Sequence, residues 1–262
     1  MKLTPQNGEQ FVDLIVVKMF KSNTMQQITT LTFFRYKGFF NRVWGMSMMG
    51  WIYSVMPKNK SVLFFKPLGT GGGSGYSIVP DLGVYGLLTV WRDISDAEDF
   101  LKSALYNQYV AHSTEQYTLF LKAIHTKGSW SGFSGWEINT ESSDVEAIAT
   151  LSRASIRPGF LIPFWRMTPR VSKELKETKG LIFTKGIGEL PLMEQATFSI
   201  WENKEALRFF ALNTYHGEAM EITRDKEGFS EEMFTRFRPL KAVGTWNGEN
   251  PIEKLLQSKE AE

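Results

Sequence analysis

One order of strand and helix patterns occurs twice along the chain, and this repeat restricts the fold more than any other feature. In the first copy, residues 29–35 (TTLTFFR), 62–68 and 84–91 (VYGLLTVW) have the β-branched and aromatic content of strands, and 123–130 reads as a closing strand. Between them, 38–56 (GFFNRVWGMSMMGWIYSVM) has the apolar period of a helix, and 97–121 reads as a second helix. The second copy follows the same order. Strands are expected at 149–156 (ATLSRASI), 181–186 (LIFTKG), 195–201 (QATFSIW) and 237–246, with helices at 164–177 and 204–224. Matching ends support the alignment: the third strands finish at Trp91 and Trp201, and the closing strands finish in KGSW at Trp130 and VGTW at Trp246. Each copy is then βαββαβ, the ferredoxin-like order, over 25–131 and 145–247. Helices on one face of each sheet leave the other face apolar. Packing the two uncovered faces together predicts an α+β fold, a dimeric-type α+β barrel within one chain.

Length and composition narrow the function classes. A chain of 262 residues with 42% apolar residues can bury a large core, and 30 basic against 28 acidic residues give no electrostatic footprint for nucleic acid. The absence of cysteine excludes disulfides, zinc-thiolate sites, iron–sulfur clusters and a cysteinate-ligated haem. The start lacks the basic flank and apolar run of an export signal, since Asp13 and Lys18 interrupt the apolar stretch 11–20. No stretch approaches the roughly 20 apolar residues of a membrane span. The expectation is a cytoplasmic protein whose contact with a membrane is at most peripheral.

Two loops invite a reading of their own. Gly69–Gly75 (GTGGGSG) imitates a phosphate loop, yet it lacks the lysine and the following helix that such a loop needs, so a flexible hairpin extension that binds no nucleotide is expected. The polar, glycine-rich stretch 132–143 reads as a linker or rim loop between the copies.

Three histidines, His112, His125 and His216, show no metal-binding spacing, so a site with several side-chain ligands is poorly supported. A haem needs only one. Phe209, Leu212, His216 and Met220 recur at helical spacing, which would put His216 on an apolar stripe; a core histidine held by a hydrogen bond would give the same pattern. The counterpart of His216 in the first copy falls close to Asn107. Arg153, Ser155 and Arg157 alternate along one strand and should share a face, with Arg166, Arg170 and Lys185 nearby to receive an anionic group; arginines facing a barrel interior would need anionic partners or hydrogen bonds, and facing solvent they would mean little. Glu189, Glu194 and Glu218 are candidate acid–base groups, and no serine sits in a Gly-x-Ser-x-Gly elbow.

The segments LTFFRYKGFFNRVWGMSMMG, ATLSRASIRP, FWRMTPRV, FTKGIGELP and QATFSIWENKEALRFF resemble the corresponding stretches of the spheroidene monooxygenase family, and the likeness runs from about Thr29 to Trp246. That resemblance implies haem-dependent oxygen insertion into an apolar substrate such as an acyclic carotenoid, with molecular oxygen and an electron donor as partners. Related paired ferredoxin-like haem proteins, among them the aldoxime dehydratases, ligate iron through a histidine of the second half, so the resemblance implies haem b on His216. Arg153 and Arg157 then become the distal catalytic groups, and Arg166, Lys185, Phe198 and Phe210 join His216 in holding the cofactor. Phe160, Phe164 and Trp165 are expected to complete the pocket. Dehydration of an aldoxime, oxidation at nitrogen, simple carriage of haem or an apolar ligand, and a cofactor-free quinol-type oxygenase are the rival readings.

Overall fold

The computed structural model describes residues 26–139, 147–253 and 255. The expected starts of the two copies, 25 and 145, and positions 140–143 of the expected linker lie outside the described residues. In the first copy the elements are β1 (Ile28–Arg35), α1 (Phe39–Trp51), β2 (Val62–Gly71), β3 (Pro80–Trp91), α2 (Ile94–Lys102), α3 (Ala104–His112) and β4 (Glu115–Gly128). The second copy contains β5 (Ile148–Ile156), α4 (Leu161–Glu177), β6 (Leu181–Gly188), β7 (Glu194–Trp201), α5 (Lys204–Asn213), α6 (Tyr215–Asp225) and β8 (Phe229–Gly244).

The strands close into one barrel in the order β1-β3-β2-β6-β7-β5-β8-β4. Every pairing is antiparallel, and each copy contributes four neighbouring strands, so the expected paired barrel is present. Its two seams differ. β4 and β8 pair from Tyr117↔Gly244 to Gly128↔Met233, whereas β2 and β6 meet only at Gly69↔Gly188 and Thr70↔Ile187.

Side chains alternate along the strands, so one set fills the barrel and the other meets the helices. The filling set includes Leu31, Phe33, Leu119, Leu151, Phe183, Phe198 and Phe237, all buried, with the rings of Phe33, Phe183 and Phe198 5.7–6.3 Å apart. The repeat extends to hydrogen bonds. Trp91 Nε1 donates to Thr30 Oγ1 at 2.8 Å, and Trp201 Nε1 donates to Thr150 Oγ1 at 3.3 Å, fixing the two strand ends in the same way. After Trp130 and Trp246 the chain turns through two residues of positive φ, Ser131–Gly132 and Asn247–Gly248, the backbone of a tight hairpin turn. Glu231 accepts from the Ser131 and Gly132 amides at 3.0 Å, and Glu115 accepts from the Gly248 amide at 2.8 Å. Each copy therefore clamps the turn of the other.

The sequence misplaced the helix ends. The expected 97–121 helix breaks at Ser103, whose hydroxyl caps α3 by accepting from Tyr106 N, and residues 115–121 belong to β4 because β1 pairs with them. The expected 204–224 helix breaks likewise at Thr214, which caps α6. β8 begins at Phe229 rather than 237. The Gly69–Gly75 stretch does not run out into solvent as an extension. Gly186 N donates to Ser74 O at 2.8 Å, and a Cβ on Gly75 would meet Gly186 O at 2.0 Å, so only glycine permits this loop to lie on β6.

Candidate functional site

A cavity of about 850 Å³ lies between the helix-facing side of the second copy's sheet and helices α4 and α6. That volume falls within the roughly 300–1,000 Å³ of small-molecule sites. Its floor is small and polar: Ser152 and Ala154 from β5, and Gln195 and Thr197 from β7. Its wall is apolar, with Phe164, Trp165, Met167 and Val171 from α4, and Ala219 and Met220 from α6. Gly75 and Tyr76 of the first copy close one end.

His216 lines this cavity as the second residue of α6. The expected stripe does not bring it there. Phe209 and Leu212 lie on α5, 54% and 64% exposed, because the chain changes direction at Thr214; His216 and Met220 reach the cavity on a new helix. Thr214 Oγ1 accepts from His216 N at 3.2 Å, and the imidazole packs on Phe210 with ring centroids 4.7 Å apart. Burial pushes the imidazole pKa down, partly opposed by the Ala211 carbonyl, so the ring is neutral near pH 7. Nδ1 lies 3.5 Å from Ala211 O; with the proton on Nδ1, Nε2 keeps a free lone pair. The capping residues Ser103 and Thr214 make Leu105 the counterpart of His216, in place of Asn107.

The other predicted site residues divide between two sides of the sheet. Arg153, expected as a distal catalytic group, borders the cavity along β5 but carries its guanidinium to the barrel-interior side beside Trp130, where the side chain is only 4% exposed. Its guanidinium is bound to Glu231 at 2.5 Å and to Glu194, with Glu189 3.7 Å away. Glu189 also takes Lys66, and Ser155 Oγ donates to Glu194 at 2.8 Å. Glu189 and Glu194 are thus committed to this cluster, which is structural in geometry. Burial raises the Glu231 carboxyl, but hydrogen bonds from Gly132, Ser129 and Ser131 and the Arg153 charge outweigh it and hold the pKa at about 2.

Lys185 also points into the barrel, where Nζ donates to Gly73 O at 2.8 Å, and desolvation lowers its pKa. Phe198 is fully buried among Phe33 and Phe183. Neither can touch a molecule in the cavity, because strand alternation turns both to the opposite side of the sheet. Arg166 is exposed on α4 between two lining residues and points away from the cavity. Phe210 supports His216 from behind and stacks on Trp201 at 5.4 Å. Arg157 stands at the cavity rim with Nε donating to Phe229 O at 3.2 Å, and Arg224 stands there too. Phe164 and Trp165 line the cavity as expected, whereas Phe160 packs on Phe229 and beside Gly228.

His112 stacks on Trp44 at 4.1 Å and bonds Asn41 at 3.1 Å, while His125 is exposed on β4. Glu218 is exposed on α6. Among the described residues, no group of three or more histidine or carboxylate side chains is placed to hold a metal ion. The fit for a haem is better: one half-buried imidazole whose pKa desolvation lowers, an apolar wall, and two rim arginines for anionic substituents. Ser152, Gln195 and Thr197 escaped the sequence reading. Aligning Trp91 with Trp201 would have exposed them, since the first copy has Thr32, Tyr85 and Leu87 at those positions.

No protein-family model matches the chain. It is 33% identical over 244 residues to the spheroidene monooxygenase of Cereibacter sphaeroides, covering 90% of this chain and 74% of that protein. Identity to the spheroidene monooxygenase of Rhodobacter capsulatus is 33% over 239 residues, covering 89% and 98%. Among solved structures, an aldoxime dehydratase in complex with butyraldoxime superposes with a TM-score of 0.59 at 10% identity, covering 90% of this chain and 87% of that one. A second aldoxime dehydratase gives 0.56 at 12% identity, with 90% and 89% covered. These structural likenesses concern the fold.

Proposed function

Since the chain belongs to the spheroidene monooxygenase family, we propose that it is a haem enzyme whose second copy holds haem b through His216 and takes a small substrate with an apolar body and a polar end. The carrying observation is the half-buried imidazole of His216, its pKa lowered by desolvation, on a cavity of about 850 Å³, where the first copy packs Phe34, Tyr85, Leu87, Tyr106 and Tyr109 into the corresponding space. Haem, when bound, supplies the redox or Lewis-acid chemistry that these side chains lack. His216 would offer Nε2 as ligand, with Ala211 O holding Nδ1–H and Phe210 fixing the ring plane. Arg157 and Arg224 at the rim would receive carboxylates, the part expected of Arg166 and Lys185. The apolar wall from Phe164 to Val171 would exclude water and grip the substrate body.

Family membership favours oxygen insertion, with an acyclic carotenoid as the substrate type and oxygen and an electron donor as cytoplasmic partners. The floor favours a second reading. Ser152, Thr197 and Gln195 offer hydroxyl and amide groups that an unbroken hydrocarbon could not use, and that an oxime or another nitrogen–oxygen head could. Purified holoprotein should be given reductant, labelled oxygen and an acyclic carotenoid, and separately an alkyl aldoxime without oxygen, with products identified by mass. Labelled oxygen in the carotenoid supports the first reaction, and nitrile formation supports the second. Failure to take up haem under adequate supply would end both.

A further inference from the structure

Helix α1 is apolar on both sides. Gly45 and Met48 are buried against the sheet, while Phe39, Phe40, Val43, Met46 and Trp51 face outward, the two phenylalanines 75% and 85% exposed. A helix with this pattern normally lies within a protein or at a membrane, yet no described residue covers its outer face. Architecture does not impose this. The counterpart α4 turns Arg166, Arg170, Lys173 and Lys176 outward, all exposed. Beyond α1 the face continues to Tyr53, and at its other end the β2–β3 hairpin adds exposed Leu82 beside Gly83, whose carbonyl accepts from Tyr36 N at 2.7 Å.

Charge selects the occupant. Between positions 37 and 60 the chain carries Lys37, Arg42, Lys58 and Lys60, all exposed, and no carboxylate. In a two-fold pairing with a second copy, the same patch would meet itself, four cations against four with Asp81, beside Leu82 and near Arg42, the one carboxylate among its described residues to answer them. A layer of anionic lipid headgroups suits the cations, while Phe, Met, Trp and Tyr enter the boundary between headgroups and acyl chains. We propose that α1 and its flanks form a docking face for an anionic bilayer surface, with α1 lying in the plane of the interface and Phe39 and Phe40 as its deepest anchors.

The full chain should be floated with phosphatidylcholine vesicles with and without phosphatidylglycerol. Binding is expected to the phosphatidylglycerol vesicles and should weaken as salt rises. The double variant Phe39→Ser/Phe40→Ser should lower partitioning by at least about tenfold. Because both rings are exposed, its thermal midpoint should match the parent. Ile162→Ser, an exposed apolar residue of α4, should partition like the parent. The proposal falls if the parent ignores anionic vesicles or if the double variant binds them undiminished. It falls equally if that variant instead dissolves a dimer of a parent that binds no vesicles, which would assign the face to a second copy.

Discussion

The two copies share a backbone plan and differ in what lies between sheet and helices. In the first copy that space is solid: Phe34, Tyr36, Tyr85 and Leu87 from the sheet meet Met48, Tyr106 and Tyr109 from the helices, all buried. Phe34 alone packs on Tyr109 at 4.9 Å and on Tyr106 at 5.8 Å. With the strands aligned on Trp91 and Trp201, the counterparts of Phe34, Tyr85 and Leu87 are Ala154, Gln195 and Thr197, and the buried cluster shrinks to Leu175, Trp201 and Phe210. Large apolar groups exchanged for small and polar ones leave a cavity where a core would be. On the proposed reading one copy carries stability and the other carries the site, and the closed barrel lets the first support the second.

A reciprocal pair of substitutions tests that division most strongly. Phe34→Ala should cost about 3–5 kcal/mol of stability, the usual loss for a buried phenylalanine, read from denaturant unfolding. Ala154→Phe, which writes the first copy's residue into the second, should leave stability level or raised while cutting haem uptake by at least about tenfold. If Ala154→Phe unfolds the protein, the floor has no room and the comparison is wrong.

Arg153→Met ranks next. It strands Glu194 and Glu231 beside the barrel core, and removing one partner of a buried cluster should cost on the order of 3 kcal/mol. Haem content and substrate turnover per folded molecule should hold, because the guanidinium lies on the other side of the sheet from the cavity. A selective loss of turnover would return Arg153 to catalysis.

The smallest effect concerns the turns that the copies clamp for each other. Glu231 has its pKa lowered from 4.5 to about 2, so its contribution is complete above pH 4.5 and is lost as pH falls through about 2. Glu231→Gln should flatten the acid limb of the stability profile across that window. An unchanged limb would show that the 129–132 turn holds without its carboxylate.

The barrel was legible because its cues are repeated: strand ends at Trp91 and Trp201, and closing Gly–x–Trp turns at Trp130 and Trp246. Helix breaks were not, since Ser103 and Thr214 stop a helix by one side-chain bond that periodicity does not register. His216 was singled out as a stripe member, whereas a capped helix start is what brings it to the cavity. That Arg153 and Lys185 would need partners inside a barrel was legible, but not which ones, because the partners, Glu231 and the Gly73 carbonyl, are remote in sequence. The cavity floor was hidden by ordinary residue types, and only subtraction of one copy from the other reveals it.

The central claim is that His216 makes the second copy a haem site. Parent, His216→Ala and His112→Ala proteins, produced with equal haem supply, should be compared by Soret absorption, haem stoichiometry and the ferrous carbon monoxide spectrum. The account predicts bound haem in the parent, loss of normal ligation with folding retained in His216→Ala, and a parent-like spectrum in His112→Ala. Unchanged spectra in His216→Ala with loss confined to His112→Ala would contradict it, placing the ligand in the copy whose core is full.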